Sequence, residues 1–135
     1  MKITGYMSGT FDLFHIGHLN IIKNAKGQCD NLIVGVHESG AWKGKETFIP
    51  FDERLKIISS IKYVDIAVKS YLEDTDAIAK HNIQKLFVGD DYKGTDRFKK
   101  YEDVCKKSNV EIIYFPYTKS TSSSNLRNIL KNSKI

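Results

Sequence analysis

Short apolar runs alternate with stretches of helical period along the chain, and together they predict ten secondary-structure elements. The run NLIVGV is apolar at almost every position, as expected of a strand that is buried on both faces. The stretch 17–27 repeats its apolar residues at helical spacing, with Leu19, Ile22 and Ala25 facing inward. The predicted strands are 3–7, 31–36, 65–68, 85–89 and 110–115, and the predicted helices are 17–27, 50–61, 74–82, 95–108 and 123–132.

Five strands that alternate with five helices predict a single α/β domain over residues 1–135. Strands connected in this way run parallel and are joined by right-handed crossovers. The expected architecture is therefore an open, parallel, five-stranded sheet flanked by helices, of the Rossmann-like type. Such sheets bind ligands beyond the carboxyl ends of their strands, so the segments that follow the strands are the candidate binding segments.

Composition and charge narrow the possible functions. The chain has 21 Lys and Arg against 16 Asp and Glu, and its net charge of +5 favours an anionic partner. The basic residues form small groups separated by acids, so no nucleic-acid partner is expected. No apolar run approaches the roughly 20 residues that cross a bilayer, and the N-terminus lacks a signal peptide. We therefore expect a cytoplasmic protein without membrane insertion, in which Cys29 and Cys105 are free thiols.

The segment after the first strand, SGTFDLFHIGHLN, contains a closely spaced histidine pair. His15 is expected at the end of the loop and His18 in the first helical turn, where residues three apart point the same way. Gly17 allows a ligand oxygen to approach the backbone, and the helix start supplies N–H groups. The segment therefore predicts a phosphate site. The spacing also fits half of a metal site, for which His37 is a loosely placed further ligand.

The ten residues GTFDLFHIGH resemble the signature of the nucleotidyltransferases that contain His-x-Gly-His, specifically their cytidylyltransferase branch. The resemblance continues through WKGK, FDERLKIISSIKYVDIAV and FVGDDYKG, and so covers nearly the whole chain. It implies that a small phosphomonoester attacks the α-phosphorus of CTP, with Mg²⁺ accompanying the CTP and pyrophosphate leaving. The protein ligands of the metal are not assigned. It also implies a homodimer that makes a CDP-alcohol for a surface polymer or lipid.

The resemblance carries roles over to particular residues. His15, His18 and Lys43 would be catalytic, the last as the cation of a loop. Residues implied to bind the nucleotide are Gly9, Thr10, Phe11, Gly17, Asp90, Ser122, Ser123 and Arg127. Residues implied to bind the acceptor are Asp12, Lys45, Lys62, Tyr71, Asp91, Tyr117 and Lys119. The serine run before the last predicted helix also suits phosphate, because hydroxyls and free N–H groups meet at a helix start.

Several positions depart from the glycerol-3-phosphate members of the branch, among them Lys119, which stands where those enzymes have an acid. Tyr117 and Lys62 stand where those enzymes have arginine, and Tyr71 stands where they have tryptophan. Only arginine offers a planar fork to phosphate, so the acceptor stays open. An ATP-dependent adenylyl transfer to a phosphorylated sugar or another small phosphomonoester is the alternative enzyme. A nucleic-acid module and an inactive pseudoenzyme are less favoured, because the strand-end loops account for anion binding and both histidines are present.

Overall fold

Strands and helices alternate along residues 2–39, 46–89, 92–116 and 123–132, which are the residues that the computed structural model describes. The strands are β1 (Thr4–Gly9), β2 (Asn31–Val36), β3 (Ile66–Lys69), β4 (Lys85–Gly89) and β5 (Glu111–Phe115). The helices are α1 (Ile16–Lys26), α2 (Phe51–Ser59), α3 (Asp76–His81), α4 (Asp96–Lys107) and α5 (Ser123–Asn132). The predicted α/β architecture is confirmed.

The five strands form one parallel sheet in the order β3-β2-β1-β4-β5. The central strand β1 pairs with β2 along its length, from Thr4 opposite Asn31 to Gly9 opposite Val36. The chain moves outward from β1 to β3 and then returns to β4 on the other side of β1. This reversal opens a crevice between the carboxyl ends of β1 and β4, where open α/β sheets bind ligands.

Two hydrophobic cores lie on opposite faces of the sheet, because successive strand residues point to opposite sides. On the first face, Met7 and Val34 pack with buried residues of α1 and α2. On the second face, Tyr6 and Ile33 pack with buried residues of α3 and α4. The site residues after β1 can therefore be supported from both sides.

The structure corrects two local expectations. Strand β1 continues to Gly9, two residues beyond the predicted end at Met7. Helix α3 begins at Asp76 rather than Asp74, because the backbone before it forms turns closed by bonds between residues three apart, such as Ala77 N–H to the Asp74 carbonyl (3.1 Å). The carboxylate of Asp74 accepts a hydrogen bond from the hydroxyl of Ser8 (2.6 Å). Both differences lie at the carboxyl edge of the sheet.

In the described part of the chain, none of the helices is long and apolar enough to cross a membrane. Both cysteines are free thiols, as predicted.

Candidate active site

The turn that joins β1 to α1 has an unusual backbone. Phe11 and Leu13 have positive φ angles, 54° and 52°, which cost residues with side chains of order 1–3 kcal/mol each. The carboxylate of Asp12 holds the turn, since its oxygens accept the backbone N–H groups of Phe48 (2.9 Å) and Ile49 (3.0 Å). Asp12 is only 2% exposed. The expectation that Asp12 binds the acceptor is therefore corrected: its carboxylate positions the turn from inside the protein.

Phe11 also has a different place from the one expected. Its ring is buried in the first-face core and stands edge-on to the His18 ring, with 5.5 Å between centroids. A Cβ atom at Gly9 would come within 2.8 Å of this ring, so glycine is needed there. The Phe11 side chain packs against His18 and is almost fully buried, so its contact with the nucleotide stays a prediction.

His15 and His18 form a reciprocal cap at the start of α1. Nδ1 of His15 accepts the backbone N–H of Gly17 (3.0 Å), and Nδ1 of His18 accepts the backbone N–H of His15 (3.2 Å). An imidazole that accepts through Nδ1 and is neutral carries its proton on Nε2. Burial lowers the pKa of His15, which favours this neutral form. The cap therefore assigns Nε2–H as the donor of each ring.

Stacking makes the two imidazoles one unit. Their centroids are 3.9 Å apart with an interplanar angle of 28°, and Phe14 stacks with His18 at 5.4 Å. The N-terminus of α1 adds backbone N–H groups and the positive end of the helix dipole. Two neighbouring donors at a helix start can bind adjacent oxygens of a phosphate chain.

Arg54 connects the turn to the segments around it. Its guanidinium is buried, at 1% exposure, and donates to four backbone carbonyls at 2.6–2.8 Å: those of Thr10, His37, Glu38 and Ile49. These carbonyls belong to the turn after β1 and to both flanks of residues 40–45. Burial lowers the pKa of Arg54, and the nearby Asp12 carboxylate raises it. This side chain fixes three chain segments relative to one another.

A cavity of about 700 Å³ opens at the carboxyl edge of the sheet, on the second face. We call it the second-face pocket. Its lining includes the last two residues of β1, Ser8 and Gly9, and the last two of β4, Val88 and Gly89. The pocket therefore lies where the order of the strands in the sheet reverses direction. Gly9 ends β1 and precedes the histidine turn, and it therefore joins the two regions.

A polar network forms one wall of the second-face pocket. Nε of Arg97 donates to the Tyr101 hydroxyl (2.8 Å), which donates to the Glu73 carboxylate. Asp74 accepts from Ser8 and donates its backbone N–H to Tyr101 (3.3 Å). Burial raises the pKa of Asp74, while the Ser8 hydrogen bond lowers it. Burial and the bond to Glu73 raise the pKa of Tyr101 to about 12, so its hydroxyl stays protonated.

Other predicted residues lie close to these two regions. Tyr71 lines the second-face pocket, and its hydroxyl is 2.6 Å from Nε2 of His81. The Thr10 hydroxyl is buried and has no hydrogen-bond partner among the described residues. A buried hydroxyl in that position is available to a polar ligand.

Lys62 lies on the wrong side of the sheet for its expected role. It precedes β3, at the amino edge, whereas the pocket residue Tyr71 follows β3 at the carboxyl edge. Its ammonium sits 5.0 Å from the centroid of the Tyr63 ring. The contact of Lys62 with the acceptor stays a prediction, and the position of Lys62 before β3 does not support it.

Several predicted site residues are outside the described part of the chain, and their predictions stay open. Neither the backbone nor the side chain is described for Lys43, Lys45, Asp90, Asp91, Tyr117, Lys119 and Ser122. Ser123 and Arg127 belong to α5, but their side chains are outside the described part as well.

The metal interpretation of the histidine pair gains no support. Among the described residues, no group of three or more His, Cys, Asp or Glu could hold a metal ion. His37, the loosely placed third ligand, shares a hydrogen bond with the Ser70 hydroxyl instead (2.7 Å).

Sequence analysis missed Arg54, Ser8, Asp74 and Arg97. Arg54 is four residues before the buried Ile58 on the inner side of α2, so a charge on an inward helical position was the available signal. The pocket residues gave no comparable signal, because Ser8 and Asp74 meet across 66 positions of sequence.

Comparisons with known proteins show what the chain is similar to. A family model described as cytidylyltransferase-like matches residues 6–129. Glycerol-3-phosphate cytidylyltransferase of Bacillus subtilis (strain 168) is 32% identical over 123 residues, 88% of this chain and 90% of that protein. Ethanolamine-phosphate cytidylyltransferase of Mus musculus is 35% identical over 105 residues, 73% of this chain and 26% of that protein.

Solved structures support the same fold. The crystal structure of the lipopolysaccharide core biosynthesis protein from Thermoplasma volcanium has a TM-score of 0.74 and 25% identity to this chain. The match covers 90% of this chain and all of that one. The predicted nucleotidyltransferase fold is confirmed.

Proposed function

Because the chain belongs to the cytidylyltransferase-like family and is a CTP-dependent cytidylyltransferase, we propose that its acceptor is a small phosphoalcohol of the glycerol 3-phosphate kind. The reaction transfers CMP from CTP to the acceptor phosphate, releases pyrophosphate and yields a CDP-alcohol. Such a product serves as a precursor of a surface polymer or a lipid.

The observation that carries this proposal is the stacked histidine pair at the start of α1. An oxygen of the acceptor phosphate forms a bond to the α-phosphorus, and the bond from that phosphorus to pyrophosphate breaks. The protein contributes alignment and stabilisation of charge rather than a covalent step. Nε2–H of His15 and of His18 donates to oxygens of the α- and β-phosphates as negative charge develops there.

The backbone around the pair supports the same orientation of CTP. Gly17 is the second residue of α1, so a phosphate oxygen can approach the chain without meeting a Cβ atom. The unpartnered hydroxyl of Thr10 supplies a further donor beside the turn. Beyond the described residues, we assign Lys43 to the triphosphate and Lys45 to the acceptor. We assign nucleotide contacts to Asp90, Ser122, Ser123 and Arg127, and acceptor contacts to Asp91, Tyr117 and Lys119.

We propose that Mg²⁺ enters with CTP. The described residues do not provide a three-ligand site for it, and Mg²⁺ is commonly held by substrate phosphates with few carboxylates. No step of the transfer is therefore assigned to a metal held by the protein. A homodimer remains a prediction, which light scattering on the purified protein checks.

The test is a screen for pyrophosphate release from CTP with a panel of phosphoalcohols that includes glycerol 3-phosphate. We expect release with CTP and Mg²⁺ and none with ATP in place of CTP. A thermal shift with each nucleotide gives an independent measurement, since a ligand that binds the native state raises the melting temperature. Stabilisation by ATP alone, with adenylyl transfer to a sugar phosphate, would contradict the proposal.

A further inference from the structure

The ring of Tyr71 contacts two other rings on the second face of the sheet. Its centroid is 6.1 Å from that of Tyr6 and 5.7 Å from that of His81, with interplanar angles of 33° and 46°. Both distances lie in the range that aromatic pairs prefer. Tyr6 is completely buried, so one of these contacts comes from inside the core. Tyr71 itself is half-buried and lines the second-face pocket.

The sequence of β2 makes room for the contact between Tyr6 and Tyr71. A Cβ atom at Gly35 would lie 2.1 Å from the Tyr6 hydroxyl and 3.2 Å from the Cα atom of Ser70. Because Gly35 has no side chain, the Tyr6 ring extends from β1 across β2 to the segment that follows β3. The support of Tyr71 from inside the core therefore depends on Gly35.

His81 supports Tyr71 from a different element. Its Nε2 atom is 2.6 Å from the Tyr71 hydroxyl oxygen, and this hydrogen bond can form with either group as the donor. His81 is the last residue of α3, and Asn82 ends the helix in the left-handed conformation, with its N–H bonded to the Ile78 carbonyl. Of the described residues, His81 is not among those that line the pocket. It therefore acts on Tyr71 from outside the pocket.

The charged groups beside Tyr71 are also held by the protein. Among the described residues, the pocket lining has three carboxyl groups, Glu38, Glu73 and Asp74, and one guanidinium, Arg97. Each carboxylate has a partner, and these partners are Lys69, Tyr101 and Ser8 respectively. The pocket is therefore shaped before a ligand binds. A pocket that is ordered in advance binds more tightly, because less freedom is lost on binding.

Resting on the proposed cytidylyl transfer, we propose that His81 is a positioning residue for the acceptor, which it affects only through Tyr71. The pocket opens at the edge of the sheet from which the histidine turn starts, and the carbon part of the phosphoalcohol packs there against the Tyr71 ring. The bond from His81 keeps that ring in place before the acceptor binds. Without this bond the acceptor itself must order the ring, which raises KM for the acceptor and leaves kcat and KM for CTP unchanged.

The variant His81→Leu removes the bond but keeps an apolar side chain beside Tyr71. With glycerol 3-phosphate as the acceptor, we expect its KM to rise about three- to tenfold, the loss typical of one hydrogen bond. The values of kcat and of KM for CTP should stay within about twofold. An unchanged KM for glycerol 3-phosphate, or an equal rise in both KM values, overturns the inference.

Two further variants separate the bond from a general effect on α3. Lys80→Leu introduces the same residue at the preceding, exposed position and should change no constant. His81→Gln should return KM for glycerol 3-phosphate to within about twofold of the unmodified enzyme, because the glutamine amide can donate to the Tyr71 hydroxyl or accept from it. A rise in Lys80→Leu equal to that in His81→Leu overturns the inference, as does a His81→Gln variant as impaired as His81→Leu.

A double-mutant cycle with Tyr71→Phe tests whether His81 acts through Tyr71. Tyr71→Phe keeps the ring and lacks only the hydroxyl, so it should raise KM for glycerol 3-phosphate by about as much as His81→Leu. Adding His81→Leu to it should then change KM by less than about twofold, because the bond is already lost. If the two effects multiply, His81 does not act through Tyr71 and the inference fails. Tyr71→Phe alone also decides the question if His81→Leu does not fold, since an unchanged KM in it overturns the inference.

A measurement on the ring itself distinguishes a failure of this inference from a failure of the proposed function. Absence of turnover with glycerol 3-phosphate rejects only the proposed function. In protein labelled with 3-fluorotyrosine, the fluorine resonance that is lost in Tyr71→Phe belongs to Tyr71. We expect this resonance to move in His81→Leu and to keep its position in Lys80→Leu, whether or not an acceptor is turned over. An unmoved resonance in His81→Leu overturns the inference.

Discussion

The histidine turn and the second-face pocket are adjacent at Gly9, yet they are built in different ways. The turn consists of consecutive residues, and the side chains of His15 and His18 bond to backbone N–H groups of the same segment. The pocket is lined by short segments that follow several strands and by residues at the start of α4. The turn is suited to bind anions, whereas the pocket lining carries more carboxyl groups than cations.

This difference separates chemistry from selectivity. Transfer to a phosphate needs a few donors in fixed positions, and a local segment with two left-handed residues can supply them. Recognition of an acceptor depends on how side chains from distant segments meet. Substitutions in the turn should therefore lower kcat for every acceptor, while substitutions in the pocket should change KM for particular acceptors.

The largest expected effect is that of His18→Ala. Removing one preorganised donor typically lowers the rate by about 10²–10³-fold, and we expect this loss in kcat with every acceptor. Asn24→Ala, on the exposed side of α1, is the matched control and should retain full activity. Activity of His18→Ala within about threefold of the unmodified enzyme would show that the turn does not carry the chemistry.

Arg54→Met should have the next largest effect, because it leaves four carbonyls without their donor and Asp12 without a nearby cation. We expect a loss of about 3 kcal/mol in the free energy of unfolding, measured by urea denaturation. Since Arg54 joins the histidine turn to the β2 end that reaches the pocket, KM for CTP and for the acceptor should rise together. A change in only one of them would mean that the two regions are held independently.

The variant His15→Asn tests the role of His15 as a helix cap separately from its role as a hydrogen-bond donor to phosphate. Asparagine is a good N-cap residue, so this variant should keep the stability of α1 and lose the rate. His15→Ala should lose the rate and also about 1 kcal/mol of stability. Thermal denaturation of the two variants side by side measures the difference, and equal melting temperatures would mean that the histidine does not cap the helix.

The stability of the turn should also depend on pH. Burial lowers the pKa of folded His15, so the unfolded chain binds more protons as the pH falls through about 6.5. The contribution of His15 to stability is therefore complete above that pH and is lost below it. Melting temperatures between pH 7.5 and 5.5 should fall less in His15→Asn than in the unmodified protein, whereas identical slopes would rule out His15 as the cause.

The smallest effect is expected for Lys62→Ala. This exposed lysine is at the amino edge of the sheet, away from both regions. We expect kcat and KM to stay within about twofold, since surface substitutions away from such features have small effects. A large rise in KM for the acceptor would show that Lys62 does contribute to acceptor binding.

The same comparison explains what the sequence could predict. The alternation of strands and helices depends on local periodicity, and this prediction is confirmed. The reciprocal cap formed by His15 and His18 was not predicted, although the two residues were correctly expected at the start of the first helix. The positions of Asp12 and Phe11 could not be predicted, because burial of a turn depends on Phe48 and Ile49, which are more than 35 residues away. The hydrogen bond between Asp74 and Ser8 could not be predicted for the same reason, because Ser8 is 66 positions away in the sequence, in β1.

The buried guanidinium of Arg54 has a consequence for engineering. It bonds to the carbonyls of Glu38 and Ile49, so the ends of the intervening stretch are held by a group outside that stretch. Exchanging this stretch between relatives, even with a different number of residues, should leave the anchor points in place, because doubling the length of a loop costs only about 0.6 kcal/mol. We therefore expect the enzyme to accept a replacement loop between Glu38 and Ile49.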